Sequence, residues 1–353
     1  MRQRFSSTNH GQASQIGYKE LFEVPTDDGI PLIVTRKLPL IQKQNLTPIL
    51  LIHGLGQNRH FWDLPGRSMA DFLVSKGFDV FIAELRGHGL SRANGAPYPN
   101  SFEEYVDYDV PALIHFICQR TQHPKIYLIG HSLGGAICYG ASSEMQKQLK
   151  GFISVCGPFN FGKGTKVIRP LAKLYNWLNN SWINKTLKMT RLFPRHLSID
   201  LVGVLTHRAT PFLDNHKNRW FAPLWVPGTI EPNHLSQLLL TAFDRTGMAV
   251  FSTLLSWASE GRFLSTNRQH DYEQSIRQIT IPVLFLSADK DKVVPPESIA
   301  GAYDKIGSID RQWREFGKPE DHRHFGHMDI ICGSDAPQKV WPVISDWLLK
   351  REQ

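Results

Sequence analysis

Gly130-His131-Ser132-Leu133-Gly134 forms a G-x-S-x-G pattern inside the run KIYLIGHSLGGA, where a strand-like apolar stretch passes directly into a helix-like one. A sharp strand-to-helix turn needs small residues on both sides of its apex. It lifts the serine hydroxyl above the sheet edge, where a helix N-terminus favours negative charge. A serine hydroxyl is a weak nucleophile, so it needs a base, and the base needs an acid to orient it. Both types follow downstream in the order serine, acid, histidine. IPVLFLSADKDKVVPP places Asp289 and Asp291 just after an apolar run, and HRHFGHMDI places His322, His324 and His327 after the last one. The chemistry open to such a set is nucleophilic attack on a carbonyl. Acyl transfer also needs donors for the tetrahedral oxyanion, each worth about 3 to 4 kcal/mol. His53-Gly54-Leu55-Gly56, after another apolar run, is a glycine-rich loop that can turn its backbone toward a substrate.

Residues so far apart in the chain meet only if a regular scaffold ends its strands at these loops. Short apolar runs predict strands over 19–24, 32–36, 49–53, 80–84, 126–129, 151–156, 283–287 and 312–316, with Asp28-Gly29 turning the first hairpin. Apolar residues at three- and four-residue spacing predict helices over 67–76, 102–120, 133–148, 296–306 and 336–350. This alternation predicts an α/β fold, a mostly parallel central sheet with helices on both faces. The pattern changes in the middle. Trp177, Trp182, Trp220 and Trp225 appear among Lys, Arg and Asn, with helical runs at 167–178, 234–243 and 247–259. The expected organisation is an N-terminal part of the core over 1–156, a helical cap insertion over 157–268 and a C-terminal part of the core over 269–353.

The 353 residues suit one large α/β domain carrying an insertion, and 41% hydrophobic content with 20 Phe and 9 Trp excludes global disorder. The longest apolar runs fall far short of the roughly 20 residues of a membrane span. The N-terminus MRQRFSSTNHGQASQIG lacks the apolar stretch of a secretory signal. Cys118, Cys138, Cys156 and Cys332 have no C-x-x-C spacing and lie in apolar segments, as reduced thiols of a cytoplasmic protein would. Cys138 and Cys156 read as core residues. The formal net charge is +8, and 157–246 holds 12 of the 40 Lys and Arg against 4 of the 32 Asp and Glu. The whole excess therefore sits in the cap and the remainder is balanced, which argues against nucleic acid as the partner. The cap charge fits peripheral contact with an anionic membrane, attraction of an acidic substrate, or a merely solvated surface. No phosphate loop or dinucleotide fingerprint occurs, so neither cofactor nor metal is expected.

The HGLGQN loop at 53–58, the ELRGHGLS segment at 84–91, the GHSLGG elbow, the DKVVP acid loop and the GHMD turn occur in one order, and in this the chain resembles the α/β-hydrolases. Around the end of the cap and at the C-terminus it resembles bacterial lipase-like and polyhydroxyalkanoate-synthase-like members. The resemblance implies Ser132 as nucleophile, His327 as base, and Asp291, the residue before Lys292-Val293-Val294-Pro295, as acid. Asp289 is the alternative acid, or else a solvated turn residue. His322 and His324 are expected to face solvent. The backbone N–H groups of Leu55 and Leu133 would form the oxyanion hole. His53 would orient its loop, and Arg86 and His88 would be structural. Polyhydroxyalkanoate synthases carry cysteine at the elbow and dehalogenases and epoxide hydrolases carry aspartate, so Ser132 favours ester hydrolysis. A transferase using the same residues and a non-enzymatic binding protein of this fold are the alternatives. The cap's Trp, Leu, Ile and Phe either line an apolar acyl pocket for a carboxylester or lipid ester, or pack the cap onto the core.

Overall fold

The computed structural model describes residues 3–7, 14–40, 45–161, 170, 172–174, 177, 198–199, 204–215, 217, 224–317 and 319–353. Nine strands form one sheet: β1 (Gln3–Ser7), β2 (Ser14–Pro25), β3 (Pro31–Pro39), β4 (Ile49–Ile52), β5 (Val80–Glu84), β6 (Ile126–His131), β7 (Leu149–Val155), β8 (Val283–Ala288) and β9 (Arg311–Phe316). Their order is β1-β2-β3-β5-β4-β6-β7-β8-β9. The first three strands and the β3–β5 contact are antiparallel, and every pairing from β5 to β9 is parallel. All eight expected strands are present. β1 is additional, and its sequence QRFSS carries no apolar run that could have announced it.

Every residue of β4, β5, β6 and β8 is buried, because a parallel sheet is covered on both faces, so these strands read as mostly apolar runs. In the edge strand β9 four of the six residues are polar. One face is covered by α1 (Met69–Ser75) and by the C-terminal helix Trp341–Leu349. The other is covered by α2 (Val110–Thr121) and α3 (Leu133–Met145).

Two of the expected helices are interrupted, and proline explains both. The run 102–120 begins as a π-helical turn, Tyr105–Asp109, in which the Val110 N–H donates to Tyr105 O. Pro111 has no N–H to continue an α-ladder back to Asp107. The run 336–350 splits into Ala336–Lys339 and Trp341–Leu349, with Pro342 in the first turn of the second piece.

Between β7 and β8 the described residues include α4 (Val204–Leu213), α5 (Pro232–Thr241) and α6 (Met248–Glu260). The expected helix over 167–178, together with Trp182 and Trp220, lies mostly or wholly outside the described residues. Leu235, Leu238 and Leu239 of α5 join the core under one face of the sheet, and Val250 and Trp257 of α6 join the core under the other. Trp225 is buried with its indole N–H donated to Asp214, so it packs rather than lines a free surface, whereas Trp177 is 63% exposed. Among the described residues no helix is long and apolar enough to cross a membrane.

Candidate active site

Ser132 stands alone between β6 and α3 at φ 55° and ψ −119°, a left-handed conformation that non-glycine residues rarely adopt. Such a conformation costs about 1 to 3 kcal/mol and persists only where the surroundings impose it. Here the Ser132 N–H donates to Val155 O at the end of β7, while Ser132 O accepts from Gly135 and Ala136 N–H as α3 begins. The flanking glycines are required by close approach: a Cβ on Gly130 would stand 2.2 Å from Gly134 O, and one on Gly134 would stand 2.4 Å from Ile52 O.

Ser132 Oγ is 2.9 Å from His327 Nε2, and His327 Nδ1 is 2.7 Å from Asp291 Oδ2. Asp291 Oδ1 accepts from the Val293 and Val294 N–H groups at 2.8 Å each, so one carboxylate oxygen is fixed by backbone and the other faces the imidazole. Asp291 and His327 are buried, and Ser132 is half-buried. An ionised carboxylate only accepts, so the proton sits on His327 Nδ1 and leaves Nε2 free to take the serine proton.

The His53–Gly56 loop lies against this serine, since a Cβ on Gly54 would come within 3.0 Å of Ser132 Cβ. His53 Nε2 accepts from Leu85 N–H at 3.2 Å and Nδ1 faces Gly54 O at 2.9 Å. Burial pushes the imidazole down to about 4 and keeps it neutral, so His53 orients the loop as expected. Leu133 is the first residue of α3, where an N–H has no intrahelical acceptor, and among the described residues neither the Leu55 nor the Leu133 N–H has a hydrogen-bond partner. Arg86 is bound by Asp28, Glu104 and Asp109, and His88 is buried beside Tyr105 and His53. Both therefore sit in packing and ion-pair networks.

The loop is also joined to the insertion. Asn58 N–H donates to Ala242 O at 3.1 Å, Asp244 N–H donates to Gly56 O at 2.8 Å, and Gln57 and Phe243 form an antiparallel bridge. The Asn58 side-chain amide donates to Thr241 O at 2.9 Å.

Four neighbours of the site were not read from the sequence as part of it. Gln57 Oε1 accepts from Gly54 N–H and lies 3.2 Å from His131 Nδ1, while His131 Nε2 is 2.9 Å from His327 O. Burial holds His131 far below the usual imidazole range, so the ring is neutral and its one N–H, on Nε2, donates to the His327 carbonyl at the histidine turn. Asp329, in the GHMD turn, accepts from Gly326 N–H and Thr229 Oγ, and burial raises its carboxyl to about 7. Cys156 is buried, as a core reading predicts, yet its Sγ lies within 4.8 Å of ligand atoms of Asp291 and His327. Burial and the Asp291 charge hold its thiol up, so it stays protonated. These three are the only residues among those described that are grouped closely enough to hold an ion. The carboxylate and imidazole are already bonded to each other, which suits proton transfer rather than coordination.

His322 is exposed, as expected. Asp289 and His324 depart from expectation, being paired with each other rather than solvated. Fold geometry outruns the local pattern here, because their contact spans two loops.

The fold agrees with comparisons to known proteins. A family model described as alpha/beta hydrolase fold matches residues 47–197. The chain is 26% identical to Lipase member M of Homo sapiens over 367 residues, covering 94% of this chain and 83% of that protein. It is 35% identical to Gastric triacylglycerol lipase of Mus musculus over 357 residues, covering 92% and 87%. The solved structure of Paleococcus ferrophilus monoacylglycerol lipase superposes with a TM-score of 0.58 at 17% identity, covering 91% of this chain and 99% of that one. These relatives lie on the lipase-like side of the resemblance rather than the polymer-synthase side. Identity at the level of the gastric lipase, along nearly the whole of both chains, makes this protein a member of the α/β-hydrolase family.

Proposed function

We propose that the protein hydrolyses carboxylic esters of apolar acyl chains through an acyl-enzyme on Ser132. The carrying observation is the continuous line from Ser132 Oγ through His327 to Asp291, at 2.9 and 2.7 Å. Ser132 Oγ attacks the ester carbonyl carbon as His327 Nε2 takes its proton, and Asp291 stabilises the resulting imidazolium. The N–H groups of Leu55 and Leu133 receive the oxyanion. When the tetrahedral intermediate collapses, the imidazolium returns its proton to the leaving alcohol. Water then repeats the sequence on the acyl-enzyme, releasing the carboxylic acid and restoring the serine.

The preference for an apolar acyl group is supported by the lipase relatives and by exposed Leu174, Trp177 and Phe212 in the insertion. A series of p-nitrophenyl esters of rising chain length tests it. kcat/KM is expected to increase from acetate toward octanoate, because each buried CH₂ contributes about 0.8 kcal/mol. A flat or falling series would refute the acyl preference without touching the serine mechanism.

The basic insertion supports salt-sensitive contact with anionic membrane, and four unpaired thiols support a reducing cytoplasmic compartment. Attraction of exposed charges fades over a Debye length of about 10 Å at 0.1 M salt. Fractionating cells at low and high salt should therefore move the protein from the membrane pellet to the soluble fraction. Recovery in the soluble fraction at both salts would remove the membrane contact, and recovery in the medium would remove the cytoplasmic assignment.

A further inference from the structure

Asp291 and His327 stand on separate loops, after β8 and β9, 36 positions apart. Their alignment depends on how those loops lie against each other. Directly beside them is a second carboxylate–imidazole pair of the same kind. Asp289 Oδ2 is 2.5 Å from His324 Nδ1, Asp289 Oδ1 accepts from Phe325 N–H at 3.0 Å, and Lys290 N–H donates to Phe325 O at 2.9 Å. The acid loop and the histidine turn are thus joined three times just ahead of the Asp291–His327 bond. The Asp289 side chain is 11% exposed and that of His324 33%. Asp289 also needs a gap in the neighbouring loop: Gly317 has φ 155°, and a Cβ there would stand 2.2 Å from Asp289 Cγ. Phe325, between the two histidines, is buried against Phe316 at the end of β9. Among the described residues, no hydrogen bond joins Asp289 or His324 to Ser132, Asp291 or His327.

We propose that Asp289 and His324 are positioning residues: the pair clamps the acid loop to the histidine turn so that Asp291 meets His327 in register. This rests on the assignment of Ser132, His327 and Asp291 above. A partly exposed pair contributes little to global stability. Displacement of a reacting group by about 1 Å, however, can cost about 100-fold in rate. The carboxylate accepts from Nδ1, so any donor at that position should serve.

The test is steady-state kinetics on His324→Ala, Asp289→Ala and His324→Asn, whose amide N–H can replace Nδ1, alongside Asp291→Asn and the Asp289→Ala/Asp291→Asn double variant. The two alanine variants are expected to lose about 10-fold or more in kcat with KM within about twofold, and His324→Asn to recover most of it. In the double variant, Asp289→Ala should cause no further loss, because the register it maintains already serves no purpose. Unchanged kcat in both alanine variants, with Asp291→Asn crippled, would overturn the clamp and leave the triad standing. An equal loss from Asp289→Ala with and without Asp291 would also overturn it, marking a role in folding alone. Full activity in Asp291→Asn would overturn the triad and the clamp together.

Discussion

Replacing Ser132 by alanine is expected to abolish labelling by a fluorophosphonate probe and to lower kcat by about 10⁵- to 10⁶-fold while the protein stays folded. The substitution removes one oxygen and little else. The turn is imposed by the Val155 carbonyl, by the start of α3 and by the two close-packed glycines, none of which depends on Oγ. The backbone N–H groups of Leu55 and Leu133, proposed above as oxyanion donors, also remain, so a small residual rate over water should persist. Circular dichroism and melting temperature should match the wild type. His327→Ala should resemble it, since it removes Nε2, the acceptor 2.9 Å from Oγ. Full ester hydrolysis by the Ser132 variant would end the serine-hydrolase mechanism.

Asp291→Asn should cost about 10⁴-fold in kcat. The Val293 and Val294 N–H groups hold an oxygen in the Oδ1 position, so the new amide nitrogen must take the Oδ2 position facing His327. Nδ1 then has to accept, the proton moves to Nε2, and Nε2 can no longer deprotonate Ser132. Asp289→Asn should be far milder. Phe325 N–H likewise fixes its oxygen, and the amide then faces His324, whose ring can change tautomer without disturbing any reacting atom. Measured side by side, the two variants separate the adjacent carboxylates. If Asp289→Asn were the inactive one, the acid would be misassigned by two residues.

The parts of the site legible in the sequence are those whose signal is local. The elbow needs glycines at fixed offsets, the acid follows a buried strand, and the histidine turn follows the last strand, so each leaves a short motif. The parallel strands were legible because burial on both faces makes them mostly apolar runs, with polar residues such as Glu84 and His131 only at their C-terminal ends. β1 was missed because a polar edge strand carries no such constraint, and the π-helical turn was missed because Pro111 acts on a hydrogen bond rather than on periodicity. Gln57, His131 and the Asp289–His324 contact were illegible for another reason. Each joins segments whose meeting is decided only when the sheet is assembled.

The antiparallel bridge between the 56–58 loop and residues 241–244 limits how this enzyme can be re-engineered. Exchanging the insertion between relatives is an obvious way to transplant substrate preference. A graft cut at 157 and 268 would carry away Ala242, which receives Asn58, and the leucines of α5 that fill the core. The recipient would lose part of the scaffold that holds the glycine loop carrying Leu55. A chimera whose downstream junction precedes Leu224 keeps both, and is the safer design for moving specificity alone.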